Sequence, residues 1–249
     1  MENNNDKISD EGRLLSEIKH GEFLSKRGAG DVWDRNTIAG KERWARRVDM
    51  LTEHITPSMR VLEVGCGIGY LTRELAKTQA EITAIDISSD LIRLASSEVN
   101  ASNVVFEIEN AYRTNFSENE FDTIIGSSVL HHLEVDKALN EFYRILKKGG
   151  TIFFTEPNML NPQIMIQKNI PFIKKMMGDS PDETAFFRWV IKKKLMEKGF
   201  TGVTVYPFDF LHPHIPRQLI NFIRPLCALA EKIPVLSEIA GSLYITAKK

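Results

Sequence analysis

Between positions 61 and 69 the chain reads Val61-Leu62-Glu63-Val64-Gly65-Cys66-Gly67-Ile68-Gly69. The apolar run before the glycines is typical of a buried strand in a parallel sheet. The glycines, which lack a Cβ atom, let the backbone turn tightly and approach a ligand. Residues 71–77 then have helical spacing. This stretch therefore predicts a strand, a turn and a helix, which is the start of a β-α-β unit.

Strands and helices are predicted to alternate along the rest of the chain. Further apolar runs predict strands at residues 81–85, 103–108, 121–126, 151–155, 201–206 and 242–247. Ser88 is predicted to cap the helix after the second strand, and Gly149 to end the helix after the fourth in a left-handed conformation. Residues 180–183 have the capping-box pattern Ser-Pro-Asp-Glu at the start of another helix. The sequence therefore predicts an α/β fold with a doubly wound, mostly parallel sheet of seven strands.

The regions on either side of this pattern are predicted to form a cap. Residues 1–57 predict an N-terminal helical lid. The clearest apolar stripe in this lid is formed by Trp44, Val48, Leu51 and Ile55. Residues 58–249 are predicted to form the main domain, with cap insertions near 158–180 and 207–240, where the alternation of strands and helices breaks.

Composition and charge exclude several classes of protein. The chain has 32 Lys and Arg residues against 33 Asp and Glu residues, so it lacks the basic surplus of a nucleic-acid-binding protein. Its only cysteines, Cys66 and Cys227, give no disulfide framework and favour a reducing compartment. Residues 1–11 do not resemble a signal peptide, and no uncharged apolar run reaches the length of a membrane span. We therefore expect a cytoplasmic protein with no transmembrane segment and no nucleic-acid partner.

An acidic residue follows the second predicted strand. Asp86 comes about twenty residues after the glycine-rich turn, a spacing at which a carboxylate can accept hydrogen bonds from the ribose hydroxyls of a nucleotide cofactor. A dinucleotide site requires a further glycine at the position of Tyr70, whereas this chain has its last glycine one residue earlier, at Gly69. The pattern therefore disfavours a nicotinamide dinucleotide.

The E-x-G-x-G-x-G pattern of residues 63–69 resembles the first motif of class I S-adenosylmethionine-dependent methyltransferases. Residues 84–88 look like the second motif of that family, and residues 109–111 lie where it usually has Asp-Ala. Residues 121–132 and 144–150 are similar to motifs of its ubiquinone-methyltransferase-like branch, type 11. The chain departs from these patterns at Asn110, which replaces the acid, and at Lys148, which replaces a proline.

This resemblance implies a Rossmann-like methyltransferase fold with S-adenosylmethionine as cofactor and S-adenosylhomocysteine as product. It also implies which residues bind the cofactor: Glu63, Gly65, Gly67, Gly69, Asp86, Ile87, Asn110, Ala111 and Ser127. At Asn110, the side-chain oxygen can still accept a hydrogen bond from the adenine amino group.

Histidines supply the candidate catalytic groups. Methyl transfer from a sulfonium is an in-line displacement that depends mainly on proximity, and a base is needed when the acceptor is a hydroxyl. His131 and His132 follow the fourth predicted strand, at the edge where donor and acceptor meet, and Glu156 is the next candidate for a base. His212 and His214 are candidates for lining the acceptor pocket; without a neighbouring Cys or acid cluster they predict no metal site.

Apolar side chains in the lid and the insertions are candidates for acceptor recognition. Trp33, Trp44 and Tyr70 lie before or at the cofactor turn, and the methionines after Pro157 suit either a greasy acceptor or ordinary core packing. A hypothesis from composition alone is a membrane-facing surface in the second insertion. Its residues are Phe208, Phe210, Leu211, Ile220, Phe222 and Ile223.

These observations predict a small-molecule methyltransferase, with O-methylation favoured over C- or N-methylation. The acceptor is expected to be a hydrophobic, glycan or natural-product intermediate. Two alternatives stay open, a protein that binds S-adenosylmethionine without transferring its methyl group and, less favoured, a nicotinamide-dependent oxidoreductase. An RNA or protein methyltransferase is disfavoured by the neutral charge and by the absence of an Asn/Asp-Pro-Pro-aromatic motif.

Overall fold

Seven β-strands form one sheet in the computed structural model, which describes residues 4–27, 36–177, 179–180 and 183–249. The strands are β1 Arg60–Val64, β2 Glu81–Asp86, β3 Val104–Ile108, β4 Phe121–Ser127, β5 Leu146–Pro157, β6 Thr201–Phe208 and β7 Ser242–Lys248. Their order across the sheet is β3-β2-β1-β4-β5-β7-β6. Only β7 runs antiparallel to its neighbours. The predicted seven-stranded, mostly parallel sheet is confirmed.

Helices cover both faces of this sheet. In chain order they are α1 Asn4–Arg27, α2 Ile38–Thr52, α3 Tyr70–Ala76, α4 Ser89–Glu98, α5 Val135–Ile145, α6 Pro162–Asn169, α7 Pro171–Met177, α8 Arg188–Glu197, α9 Arg217–Ala230 and α10 Pro234–Ser237. A short 3-10 helix, Leu130–His132, follows β4. Ser88 caps α4 as predicted, because its hydroxyl oxygen accepts a hydrogen bond from the backbone N–H of Leu91.

Two apolar clusters hold the helices against the sheet. On one face, Ile124 of β4 belongs to a cluster with Phe142 of α5. On the other face, the next residue, Ile125, packs with Leu51 of α2 and Leu75 of α3. Successive side chains along a strand point to opposite faces of the sheet, so both faces of this sheet are buried by helices. The predicted stripe of α2 lies in the second cluster.

The strand register brings three carboxyl ends to one edge of the sheet. Val64 pairs with Ile85, and Glu63 pairs with Ile125, so the chain leaves β1, β2 and β4 at the same edge. The strand order reverses between β1 and β4. Open α/β sheets bind ligands at such a reversal, beyond the carboxyl ends of the strands.

Two local predictions differ from the structure. The helix predicted from Ser180 begins only at Arg188, because Phe186 pairs with Asn158 beside β5 and residues 183–187 are not helical. Pro181 and Asp182 lie outside the described residues, as does Trp33. Gly149 has a φ of +81°, as predicted, but it does not cap a helix, since α5 ends at Ile145.

The membrane-facing surface predicted from composition is wrong in most of its members. Phe208, Leu211 and Ile220 are buried, and Ile223 is partly buried against the same cluster as Ile220. Of the six residues, Phe222 is the exposed one. Apolar content alone did not reveal which side of the helix faces the protein. In the described ranges, no helix is long and apolar enough to cross a bilayer.

Candidate active site

A cavity of about 420 Å³ lies at the carboxyl edge of β1, β2 and β4. Eight of the nine predicted cofactor-binding residues line it: Glu63, Gly65, Gly67, Asp86, Ile87, Asn110, Ala111 and Ser127. Its size lies within the range usual for small-molecule sites. The fold thus brings the sequence-predicted donor residues together.

The glycine-rich turn after β1 forms the floor of this cavity. Gly65 has a φ of +67°, and a Cβ atom there would lie 2.4 Å from Cγ2 of Val129, so only glycine fits. The backbone N–H of Gly67 donates a hydrogen bond to Oδ2 of Asp86 (3.0 Å). The acid predicted to bind ribose therefore also fixes the turn.

Asp86 is held at the end of β2 by two backbone groups. Besides Gly67, the backbone N–H of Ser88 donates to its Oδ1 (2.9 Å). Burial raises the pKa of this carboxyl, and the two backbone hydrogen bonds oppose that rise only in part. Each carboxylate oxygen can accept more than one hydrogen bond, so the group keeps capacity for a ligand in the cavity.

The remaining donor-side residues lie beyond β3 and β4. Oδ1 of Asn110 accepts a hydrogen bond from the backbone N–H of Tyr112 (3.0 Å), which closes a local turn and orients the side chain. The hydroxyls of Ser127 and Thr155 lie 2.9 Å apart at the ends of β4 and β5.

Gly69 is the predicted cofactor residue that does not line the cavity. It precedes α3 with a φ of +82°, and a Cβ atom there would approach Ala95 and Val99 at the end of α4. Its structural reason is close packing of the turn against α4. Whether it contacts the cofactor stays a prediction.

The two N-terminal helices contribute to the lining of the cavity. Glu17 and His20 of α1 line it, as do Arg43, Trp44 and Arg47 of α2. Sequence reasoning placed Trp44 and Tyr70 near the cofactor, and both line the cavity. It did not find Glu17 or His20, because no local pattern marks which residues of α1 face the sheet edge.

Helix α1 is seated against the start of α4 through a glycine. A Cβ atom at Gly21 would lie 2.6 Å from both Cβ and Oγ of Ser88. This close approach puts α1 directly beside the segment that holds Asp86. Helix α1 therefore contacts the segment after β2 as well as lining the cavity.

His131 is buried between two carboxylates. Its Nδ1 lies 2.7 Å from Oε2 of Glu156, and its Nε2 lies 3.3 Å from Oε1 of Glu183. Burial alone lowers the pKa of a histidine, but the two carboxylates outweigh burial and raise the pKa of His131 to about 9. Both ring nitrogens thus carry protons at neutral pH.

Glu156 organises the loop that follows β4. Its Oε1 accepts hydrogen bonds from the backbone N–H groups of Val129 (3.0 Å) and Leu130 (2.9 Å), and its Oε2 accepts from the backbone N–H of His131 (3.3 Å). The carboxylate that was a candidate base from the sequence is therefore occupied by the 3-10 helix and His131. Its evident role is to position these groups.

His132 has a different environment from His131. Its ring lines the cavity, and its Nδ1 lies 3.1 Å from Oε2 of Glu17. The ring of His20 stacks on it, with centroids 5.9 Å apart. Although burial alone raises the pKa of Glu17, its contacts with His132 and Ser180 outweigh burial and lower it, so Glu17 is ionised beside His132.

A second set of charged residues surrounds Glu183, which lines the cavity together with Asp179. The ammonium of Lys168 contacts the carboxylates of Glu183 and Asp179, and the hydroxyl of Ser180 lies 3.0 Å from Oε1 of Glu17. Burial alone raises the pKa of Glu183, but His131, His132 and Lys168 together hold it far below its usual range. The sequence did not predict Glu183 as a site residue, because residues 180–183 have the pattern of a capping box. The backbone N–H of Ser180 does donate to Oε2 of Glu183, although residues 183–187 are not helical.

His131, His132 and Glu183 offer ligand atoms within 4.8 Å of one another, a spacing compatible with a metal ion. The ammonium of Lys168 already neutralises Glu183, and His131 is held by Glu156 as a cation. A metal ion would have to displace both positive charges. We therefore keep the absence of a metal as the prediction for this cluster.

Two arginines of α2 that line the cavity, Arg43 and Arg47, share one aspartate. Nε of Arg43 (2.8 Å) and Nη2 of Arg47 (2.6 Å) both donate to Oδ2 of Asp209. Two cations thus share one carboxylate beside the cavity. Pro213 also lines the cavity, whereas His212 and His214, the flanking candidates from the sequence, do not belong to its described lining.

Comparison with known proteins finds methyltransferases among the relatives of this chain. The sequence model of a family described as "Methyltransferase domain" matches residues 62–154. The demethylmenaquinone methyltransferase of Lactiplantibacillus plantarum is 30% identical over 195 residues, which are 69% of this chain and 82% of that protein. The malonyl-[acyl-carrier protein] O-methyltransferase of Bacillus cereus is 32% identical over 140 residues, 53% of this chain. The match spans only 52% of that relative's own length.

A solved structure agrees with the fold. The N-methyltransferase NodS of Bradyrhizobium japonicum WM9, in complex with S-adenosylhomocysteine, superposes with a TM-score of 0.64 at 17% identity. The superposition covers 94% of this chain and 98% of that one.

The sheet order, the glycine-rich turn and Asp86 define a Rossmann-like methyltransferase. The chain belongs to the type 11 family of S-adenosylmethionine-dependent methyltransferases, and S-adenosylmethionine is the cofactor of that family. The curated relatives are named for O-, N- and C-methylation, so membership of the family leaves the acceptor and the methylated atom open.

The cavity fits this donor. It combines a glycine turn without side chains at Gly65 and Gly67, a buried carboxylate at Asp86 and apolar walls at Ile87 and Ala111. A nucleoside with a charged amino-acid tail requires these kinds of contact: close backbone approach, an acceptor for hydroxyls and an apolar slot.

Proposed function

We propose that this protein transfers a methyl group from S-adenosylmethionine to the hydroxyl oxygen of a small molecule, in the cytoplasm and without a nucleic-acid partner. The observation that carries the proposal is the pair formed by His132 and Glu17, since both residues line the same cavity as the glycine-rich turn. A hydroxyl is a poor nucleophile until its proton is removed. A histidine oriented by a carboxylate is therefore the feature that O-methylation needs most.

The donor side of the cavity would hold the cofactor through the predicted residues. Asp86 would accept from the ribose hydroxyls, Ile87 and Ala111 would contact the adenine, and Asn110 would accept from its amino group. When bound, S-adenosylmethionine supplies a methyl group on a positively charged sulfur. The protein accelerates such a transfer mainly by holding the acceptor oxygen about 3 Å from the methyl carbon and excluding water.

His132 is the proposed base. With the ring proton on Nδ1, which lies 3.1 Å from Oε2 of Glu17, Nε2 is the basic atom of the ring and would accept the proton of the acceptor hydroxyl. Glu17 would stabilise the charged ring that results. Base catalysis of this kind contributes about 100-fold or more to the rate.

His131, the other histidine predicted to be catalytic, is proposed as a positioning residue. Both of its ring nitrogens are engaged, and its pKa of about 9 leaves it protonated at neutral pH. A protonated ring cannot take a proton from the acceptor. Its charge instead holds Glu156 and Glu183 in place beside His132.

Two measurements on the purified chain test the proposal. Calorimetric titration with S-adenosylhomocysteine, with NAD as the control, is expected to give micromolar binding of the first compound only. Transfer of labelled methyl from S-adenosylmethionine into a panel of small alcohols and phenols, each matched by an amine, is expected to label the hydroxyl compounds with equal release of S-adenosylhomocysteine.

Other outcomes separate the alternatives. Labelling of the amines alone would overturn O-methylation while leaving the donor site intact. Tight binding of S-adenosylhomocysteine with no turnover on any acceptor would favour a protein that binds the cofactor without transferring its methyl group.

A further inference from the structure

Helix α9 has two apolar stripes, and only one of them packs on the protein. Ile220, Ile223 and Cys227 lie against Ala39 of α2 and Leu211. The second stripe is exposed and consists of Leu219, Phe222, Leu226 and Leu229. Its spacings of three, four and three residues place these side chains along one face of the helix. Phe222 is the most exposed of the four, at 70%.

Exposed apolar side chains also follow α9 in the chain and recur in the first insertion. After α9, Ile233 and Val235 are exposed at the start of α10. The first insertion adds a further exposed set on α6 and α7: Met165, Ile166, Ile170, Phe172, Met176 and Met177. We call the exposed stripe of α9, these two residues and this set the insertion surface.

Hydrogen bonds join the two insertions that carry this surface. Nδ2 of Asn158 donates to the carbonyl oxygens of Glu238 and Ala240 (both 2.8 Å). Nδ2 of Asn161, the N-cap of α6, donates to the carbonyl oxygen of Ile239 (2.9 Å). The beginning of α6 is thereby fixed beside the end of α10.

The helices of the insertion surface are basic. Residues 162–177 contain Lys168, Lys174 and Lys175 and no acid, and residues 217–237 contain Arg217, Arg224 and Lys232 against a single acid, Glu231. The chain as a whole has a net charge of −1. Of these cations, Lys175, Arg217 and Lys232 are exposed, whereas the side chain of Lys168 is buried against Asp179 and Glu183, and Arg224 pairs with Glu42. Cations therefore accompany exposed apolar side chains on a protein that has no basic surplus elsewhere.

We propose that the insertion surface docks on an anionic lipid bilayer, with the exposed stripe of α9 inserted among the headgroups. Helices that lie in a membrane interface combine an apolar face with nearby Lys and Arg, which are attracted by anionic lipids. A second copy of this chain fits less well, because a symmetric dimer would bring the same basic helices face to face.

The docking surface reaches the acceptor end of the cavity. Gln167 of α6, Met177 of α7 and Pro213 of the second insertion line the cavity, and Met177 is also exposed on the insertion surface. Resting on the proposed function, this inference assigns the acceptor to the class of hydroxylated amphiphiles that partition into a bilayer. The membrane then delivers the acceptor to His132 from the side of α7.

Sedimentation of the full chain with vesicles tests the docking. We expect little binding to phosphatidylcholine vesicles and clear binding when part of the lipid is phosphatidylglycerol, with the bound fraction falling as salt is added. The double variant Phe222→Glu and Leu226→Glu is expected to lower the partition coefficient at least tenfold. Val105→Glu on edge strand β3 is the matched control, since Val105 is 56% exposed and lies outside the surface, and it should bind as the parent does.

A second pair of substitutions tests the charge. Lys175→Glu with Lys232→Glu should lower binding to phosphatidylglycerol vesicles and leave the affinity for S-adenosylhomocysteine unchanged, which also shows that the variant folds. A chain that stays in the supernatant with both lipids overturns the inference. The inference is also overturned if light scattering shows a dimer and the double variant Phe222→Glu and Leu226→Glu is a monomer. Vesicle binding without any methyl transfer would refute the proposed function while leaving the docking surface intact.

Discussion

The carboxylate of Glu17, on the first helix of the chain, lies 3.1 Å from Nδ1 of His132, which follows the fourth strand of the sheet. If His132 is the base, as we propose, this contact makes α1 part of the acceptor site. The same helix is seated on Ser88, beside the acid at the donor end.

The first prediction concerns this pair. Replacing His132 by Gln should lower kcat by about 100-fold, because the base that takes the acceptor proton is lost. Glu17→Gln should give a smaller loss, and the double variant should be little worse than His132→Gln, since the two groups act as a unit. Steady-state rates of methyl transfer measure the three effects. His214→Gln, exposed and away from the cavity, is the control. If His132→Gln has the same kcat and the same pH dependence of kcat as the parent, His132 is not the base.

The second prediction concerns Asp86. The variant Asp86→Ala should weaken the binding of S-adenosylhomocysteine by tenfold or more, because hydrogen bonds to a charged acceptor contribute about 1.5–3 kcal/mol each. Calorimetric titration measures the dissociation constant. Asp90→Ala, in the first turn of α4, is the matched control. Since Asp86 also holds Gly67 and Ser88, thermal melting should accompany the titration, and an unchanged dissociation constant would show that the ribose lies elsewhere.

The third prediction concerns stability and pH. Because the pKa of His131 is raised from 6.5 to about 9, the charged ring stabilises the folded state fully below about pH 6.5. That stabilisation is lost as the pH rises through 9. The difference of about 2.5 pKa units corresponds to about 3 kcal/mol of unfolding free energy. Urea unfolding between pH 6 and pH 10 should show this fall.

The variant His131→Gln should be less stable at pH 7 and should lose most of this dependence between pH 6.5 and 9. His54→Gln, whose side chain is 58% exposed, should keep it. If the unfolding free energy of the parent and of His131→Gln changes with pH in the same way, the His131 ring is not charged between Glu156 and Glu183.

The fourth prediction uses two glycines of α1. Gly21→Ala should displace the helix, since the new Cβ atom would meet Ser88 at 2.6 Å. Affinity for S-adenosylhomocysteine and kcat should both fall. Gly12→Ala should leave them unchanged and raise the melting temperature slightly, because nothing lies within 4 Å of the new Cβ atom and alanine favours a helix by about 1 kcal/mol. Equal behaviour of the two variants would show that α1 is not seated on Ser88.

The donor half could be predicted from the sequence because its signals are local. Glycines at the end of an apolar run, an acid at the end of the next strand and a serine cap at Ser88 each depend on neighbours along the chain. The strands were also predictable, since buried parallel strands are short apolar runs between turns. The structure extends several of them by one to a few residues without changing their order.

The acceptor half could not be predicted, because its contacts join segments that are distant in sequence. The pattern from Ser180 to Glu183 predicted a helix start, and its hydrogen bond from Ser180 to Glu183 does form. The same carboxylate also pairs with Lys168 and His131, and these tertiary contacts decide the local conformation. Similarly, the apolar residues of α9 were recognised, but not which of them face outwards.

The walls of the cavity come from different parts of the chain. The predicted cofactor residues lie within residues 62–154, whereas Glu17, Arg43, Asp179 and Glu183 line the cavity from segments on either side. Substitutions in these flanking segments can therefore alter which compound is methylated without disturbing the machinery that holds the donor. Such a division lets an enzyme acquire a new substrate by mutation while its core chemistry is preserved.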